Sequence, residues 1–217
     1  MHRARKVPAL MPNPSLKRSA NGRPPGPVWR DEVHFRQPGP GLVPVAPGSS
    51  NVRSRDRMHI SVSPTGFSDW PQLVALVRDS FAFMDSRIDP PSSLRNMGID
   101  EFKAKAVEET LIVAKEDQIV IGCAFAALRD DCVYVGKVAV AQSARGKGVA
   151  RAMLAAAEAL ARHHGHKFLE IQTRVELVEN HATFAALGFK KVAESAHPGY
   201  NRPTSITMRK RVAESAA

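Results

Sequence analysis

A glycine-rich turn between an apolar strand and a long helix constrains this chain more than any other feature. Val133-Tyr-Val-Gly-Lys-Val-Ala-Val140 has the β-branched, apolar character of a strand. The turn follows as Gln142-Ser-Ala-Arg-Gly-Lys-Gly-Val-Ala-Arg151. A helix is expected from Gly146 to about His164, with Gly165 as its stop and Ala150, Met153, Leu154, Ala157, Leu160 and Ala161 as its apolar face. Glycines let a backbone approach a phosphate closely, and the free N–H groups of a helix's first turn point at it. Arg145, Lys147 and Arg151 add positive charge. The combination predicts a ligand that carries phosphates.

The common phosphate motifs do not fit. A P-loop needs Ser or Thr after its Gly-Lys pair to hold magnesium, and here Gly148 and Val149 follow Lys147. A dinucleotide fingerprint needs a third small residue where Arg151 stands, and it sits in repeated βαβ units, of which this chain offers one. The spacing that does fit is Arg145-x-x-Gly148-x-Ala150. It resembles the pyrophosphate-binding signature of the GNAT family of acetyl-coenzyme A-dependent N-acetyltransferases. Downstream, Glu179-Asn-His-Ala-Thr-Phe-Ala-Ala-Leu-Gly-Phe189 is similar to a second segment of that family, Glu-Asn-x-x-x-Tyr-x-x-x-Gly-Phe/Tyr. The intervening strand Phe168–Thr173 and the ending through Tyr200 and Ile206–Lys210 also fit. The resemblance runs from about Ile60 to Val212.

The resemblance implies an α/β fold: a mixed, mostly antiparallel sheet of GNAT type with helices on both faces. It implies acetyl-CoA as co-substrate and a primary amine, of a small molecule or a peptide, as acceptor. Val138, Ala139 and Val140 would bond the pantetheine arm through their backbone, with the Val138 N–H also serving the developing oxyanion. Arg145, Gly146, Lys147, Gly148, Val149, Ala150 and Arg151 would hold the pyrophosphate. Asn180 would contact the pantetheine, act as a helix N-cap, or do both.

One position departs from the family pattern. The tyrosine that protonates the leaving thiolate in many members is Phe184 here, which by the resemblance would lie along the cofactor but has no proton to donate. Tyr134, Tyr200 and His181 are the candidate replacements, and water alone is another, since a thiol with a pKa of about 8.5 is a fair leaving group. Tyr134 shares even spacing along its strand with Val138 and Val140. Glu170, on one strand face with Gln172, is a candidate base acting through water, or else one half of an ion pair. His163, His164 and His166 do not read as a metal site. Adjacent helical residues diverge by about 100°, and no Cys or acid is spaced to complete a set.

Composition divides the chain. Residues 1–57 hold ten of the sixteen prolines and eleven Lys or Arg against three acids, whereas residues 58–217 hold twenty Lys or Arg against eighteen acids. The net charge of +10 therefore belongs chiefly to the first segment. Its Pro-Gly stretches cannot continue helix or sheet, so it is expected to be a disordered basic extension, with Met58 as an alternative translation start. A nucleic-acid or ribosome-associated role through this arm is one alternative reading, although only Trp29 and Phe35 interleave its charges. A CoA-binding protein without catalysis, suggested by Phe184, is the other.

Within 58–217, strands are expected near Ile60 and over 110–114, 119–128, 133–140, 168–173, 190–194 and 204–209. Helices are expected over 70–84, with Ser68 as cap, over 99–108, and from Asn180 to Leu187. Asp85–Ser93 is expected to be a loop walling the acceptor side, where Asp85 and Asp89 would attract an ammonium group. Cys123 and Cys132 read as small core residues. No apolar run approaches the roughly 20 residues needed to span a bilayer. The cytoplasm is the expected compartment, and a homodimer is compatible with the sequence.

Overall fold

The computed structural model describes residues 58–213. The expectation of a disordered basic extension over 1–57 lies outside the described residues.

Seven strands form one sheet: β1 (His59–Val62), β2 (Thr110–Glu116), β3 (Ile119–Leu128), β4 (Val133–Val140), β5 (Phe168–Arg174), β6 (Lys190–Ser195) and β7 (Ser205–Arg211). Their order is β1-β2-β3-β4-β5-β7-β6, and every neighbouring pair is antiparallel except β4 and β5. The helices are α1 (Trp70–Phe81), α2 (Ile99–Glu108), α3 (Val149–His163) and α4 (Val178–Ala186). The mixed, mostly antiparallel sheet with helices on both faces is as expected.

Period-two alternation builds the two sides. On β2, Ile112 and Ala114 pack into one core with Val149, Met153, Leu154 and Ala157 of α3, where Phe184 of α4 also rests. Leu111 and Val113 point the other way, to a second core with Leu73, Val74 and Val77 of α1 and Phe102 of α2. Phe102 is fully buried and its ring lies 5.8 Å from that of Phe125. Burying a side chain of this size is worth about 1.5–3 kcal/mol. Cys123 and Cys132 are free and buried, as the sequence suggests, and burial pushes the Cys123 thiol up to about 12.

Local boundaries differ in instructive ways. The helix expected over 70–84 is α-helical only to Phe81 and tightens to a 3₁₀ turn over Ala82–Met84. Its cap position is Asp69 rather than Ser68. The Asp69 carboxylate caps nothing, because it pairs with Lys115 at 2.5 Å. The loop Asp85–Ser93 runs into a short 3₁₀ helix, Ser93–Asn96, capped by the Ser92 hydroxyl. Among the described residues, no helix is long and apolar enough to cross a membrane.

Candidate active site

The site begins where the sheet fails to close. The β4–β5 ladder consists of Val133↔Leu169 and Tyr134↔Glu170. Beyond these pairs β4 continues against β3 and β5 against β7, so the two parallel strands part and leave a wedge between their C-terminal halves. The backbone of residues 135–140 along this edge is committed to one neighbour only.

A bulge in β4 sits at the wedge. Cys123 faces Ala139 and Phe125 faces Gly136, so Lys137 and Val138 together stand against Ala124. Lys137 takes φ +52° to make this possible. The extra residue shifts the side-chain phase: Val133 and Val135 face the α3 core, and so do Val138 and Val140. The even spacing that links Tyr134 to Val138 and Val140 in sequence therefore misleads. Tyr134 points to the opposite face, under the Arg129 guanidinium at 3.9 Å, and burial raises its pKa. The Lys137 ammonium is held below its ordinary value, first by burial and then by the charge of Lys105. The Val140 carbonyl accepts a hydrogen bond of 3.3 Å from the Ser80 hydroxyl, which ties the end of α1 to the rim of the wedge.

The turn after β4 is an open cradle. Ala144 and Val149 are buried and fix its ends, while Arg145, Gly146, Lys147 and Gly148 are exposed. Gly146 and Gly148 have φ of +76° and +84°, values that L side chains rarely adopt, and no heavy atom lies within 4 Å of where a Cβ would stand. The helix begins at Val149, three residues later than expected, with Gly148 in the cap position and its carbonyl accepting the first helical bond, from Ala152, at 3.0 Å. The N–H groups of the first turn thus point outward without helical acceptors, beside the side chains of Arg145, Lys147 and Arg151. This open, N–H-lined and positively flanked turn fits a pyrophosphate.

Other predicted residues fare differently. Asn180 is not a cap: α4 starts at Val178 with Leu177 in the cap position, and the Asn180 N–H bonds the Leu177 carbonyl at 3.0 Å inside the first turn. Buried Leu177 anchors the entry to this helix and displaces the boundary by two residues. Phe184 is half-buried against the α3-side core, edge-on to Phe189 at 6.0 Å. His181 bonds the Arg174 carbonyl at 2.8 Å through Nε2. Glu170 is 5 % exposed, and its carboxylate accepts from Arg129 at 2.7 Å and Arg209 at 2.8 Å, with Arg209 also holding Asp131. That geometry favours the ion-pair alternative and leaves Glu170 poorly placed as a base.

The loops expected to roof the acceptor side, Asp85–Ser93 and the one that carries Tyr200, are tied together by a clip that sequence reasoning missed. The Tyr200 hydroxyl donates to Asp89 Oδ1 at 2.6 Å, and Arg202 holds Asp89 Oδ2 at 3.0 Å. The loop after α1 is thereby joined to the loop between β6 and β7. The Asp89 carboxylate raises the Tyr200 pKa by accepting its proton in a hydrogen bond, so this phenol is a weaker acid than usual and already engaged. Asp85 is paired with Arg95 at 3.0 Å, and Arg87 pairs with Glu179. Neither loop aspartate is left to attract an ammonium group alone. No local pattern announces contacts between residues 111 and 113 positions apart. A cavity of about 350 Å³ lined by His59, Phe67, Val113 and Lys115 lies at the β1 edge and includes no residue of the wedge.

A parted pair of parallel strands, a bulge on one of them and an open glycine turn at the next helix fit the class of acyltransferases that take their acyl group from coenzyme A. The model of the Acetyltransferase (GNAT) family matches residues 70–189, and the chain belongs to that family. Members of this family are acyl-CoA N-acyltransferases. Solved structures share the fold. A putative acetyltransferase of the GNAT family from Desulfovibrio desulfuricans is 20 % identical with a TM-score of 0.59, over 72 % of this chain and 100 % of that one. A putative acyl-CoA N-acyltransferase from Klebsiella pneumoniae is 19 % identical with a TM-score of 0.52, over 71 % and 97 %. The ribosomal-protein-S18-alanine N-acetyltransferase from Escherichia coli is 17 % identical with a TM-score of 0.52, over 74 % and 97 %. No curated protein sequence matches.

Proposed function

We propose that the protein transfers the acetyl group of acetyl-CoA to a primary amine of a small molecule or a peptide. The observation that carries this reading is the conjunction of the bulge at Lys137–Val138 with the open wedge beside it, one turn away from the Gly146–Gly148 cradle. Acetyl-CoA, when bound, supplies an activated acetyl thioester. The cradle N–H groups and Arg145, Lys147 and Arg151 hold the pyrophosphate. Backbone groups of Val138, Ala139 and Val140 line the channel, and Phe184 and Asn180 stand on the helix facing it. The Val138 N–H donates to the carbonyl oxygen as negative charge grows there.

Proton balance sets the demand on the remaining residues. A bond forms between the amine nitrogen and the acetyl carbon, the carbon–sulfur bond breaks, and the nitrogen loses a proton while the thiolate gains one. Deprotonating a lysine-like amine at pH 7 costs about 4–5 kcal/mol, and an α-amine about 1 kcal/mol. With Glu170 held by two guanidinium groups and Tyr200 donating to Asp89, an acceptor with the easier amine suits this site better. Phe184 leaves thiolate protonation to solvent.

The test is release of free thiol from acetyl-CoA in the presence of amines, amino acids, polyamines and peptide N-termini. Thiol release that depends on an amine is expected. Tight acetyl-CoA binding without release, for every acceptor, would replace this reading by that of a CoA-binding protein without catalysis.

A further inference from the structure

Among the described residues six buried side-chain polar atoms have no hydrogen-bond partner, and four of them belong to Arg174 and Glu176. Arg174 ends β5 and is 8 % exposed. Its Nε lies 3.7 Å from Glu176 Oε2, while Glu176 Oε1 lies 3.5 Å from Arg202 Nη1. One carboxylate is thus shared between two guanidinium groups and hydrogen-bonded to neither. The unpaired Arg174 atoms, Nε and Nη2, form one edge of the guanidinium fork. That edge takes a carboxylate in two parallel hydrogen bonds. Buried polar groups in folded proteins are nearly always paired, so an unsatisfied fork calls for a partner.

Its position says which partner. β4 and β5 run parallel from their paired residues Val133 and Leu169. Val138 stands five residues on along β4, one of them taken up by the bulge, which sets it level with the Thr173–Arg174 end of β5 on the opposite wall of the wedge. Alternation puts Arg174 on the strand face of Glu170, away from α3 and towards the clip. Arg202 touches both Glu176 and Asp89, so roof and cluster are continuous.

We propose that Arg174 is the receptor for a carboxylate on the acceptor, and that the acceptor is an amino acid or a similarly small amino-carboxylate whose amine is presented across the wedge at Val138. This deepens the N-acetyltransferase reading and rests on it. Entry requires the clip to part. Its contacts on Asp89 are exposed, and exposed ion pairs are weak, so the roof opens at little cost.

The test compares matched acceptors on the full chain: free amino acids, their carboxamides and their decarboxylated amines, with acetyl-CoA saturating. The expected result is a kcat/KM about 10- to 100-fold higher for the carboxylate form, the worth of hydrogen bonds to a charged group, expressed mainly in KM. Arg174→Gln collapses that ratio towards one, and Arg174→Lys restores only part of it, since a point charge lacks the fork. Thiol release indifferent to the acceptor carboxylate, or a preference that survives in Arg174→Gln, overturns the proposal and leaves the N-acetyltransferase reading standing. Should both variants fail to fold, by circular dichroism, the ratio measured on the unaltered protein decides alone. Absence of thiol release with every acceptor overturns both readings.

Discussion

The two walls of the wedge are built from different materials. The β4 wall, with its bulge and the cradle behind it, is made of backbone: N–H groups, two left-handed glycines and the first turn of α3. The β5 wall, with its clip, is made of side chains: Arg174, Glu176, Arg202, Asp89 and Tyr200, drawn from three segments far apart in the chain. Backbone chemistry is indifferent to side-chain identity except where φ demands glycine. It can therefore serve one invariant ligand while the sequence around it drifts. Side-chain chemistry is specific and replaceable, which suits the half of a site that must distinguish one acceptor from another.

Three substitutions probe that contrast. The largest effect is expected from Gly148→Asp, which sets a carboxylate in the cradle. At roughly 4 Å a like charge near a protein surface costs about 4 kcal/mol, so acetyl-CoA affinity measured by calorimetry should fall at least ~100-fold. Because space is open around the position, the fold should lose only about 1–2 kcal/mol, from the left-handed φ. Unchanged affinity would show that the β4 wall does not hold the pyrophosphate.

Phe184→Tyr comes next. The ring is half-buried, so its added hydroxyl can find water, and a phenol directed at the leaving sulfur should raise the single-turnover rate about tenfold, below the ~10²–10⁴-fold that general acids supply in sites adapted to them. A stable variant with an unchanged rate would mean that thiolate protonation does not limit transfer. The smallest effect is expected from Asp89→Ala, which releases Tyr200 and Arg202. Acceptor KM should rise about threefold while acetyl-CoA affinity holds, and stability should change by no more than about 1 kcal/mol because these contacts are exposed. An equal loss in both ligands' binding would mean that the two walls are not separable.

The same contrast explains what could be read in advance. The cradle was legible because positive φ favours glycine and the glycines are visible at Gly146 and Gly148. The strand Val133–Val140 was legible from its β-branched run. Its bulge was not, since Lys137 adopts φ +52° with no glycine to signal it, and the missed extra residue carried Tyr134 to the wrong face. Asn180 looked like a cap because its side chain suits one, but the buried anchor Leu177 set the boundary. Glu170 reads in sequence as either a base or one half of an ion pair, and only the fold decides, by bringing Arg129 from the β3–β4 turn and Arg209 from β7, 41 and 39 positions away. Arg174 and the clip left no periodic trace at all, because their partners meet only when the sheet has formed.

The bulge at Lys137 has a consequence for how such a chain can change over time. Two residues opposite one act as a spacer that keeps Val133, Val135, Val138 and Val140 on a single face despite their mixed odd and even numbering. Losing Lys137 would restore plain alternation and leave Val138 and Val140 still facing α3, with their partners on β3 unchanged. What would go is the bulge itself, and with it the local bend and twist that set the backbone of β4 beside the wedge. The side-chain pattern of this strand would thus survive a deletion that its backbone geometry would not; descendants of this protein could regularise β4 without disturbing the core, and the change would fall on the wedge alone.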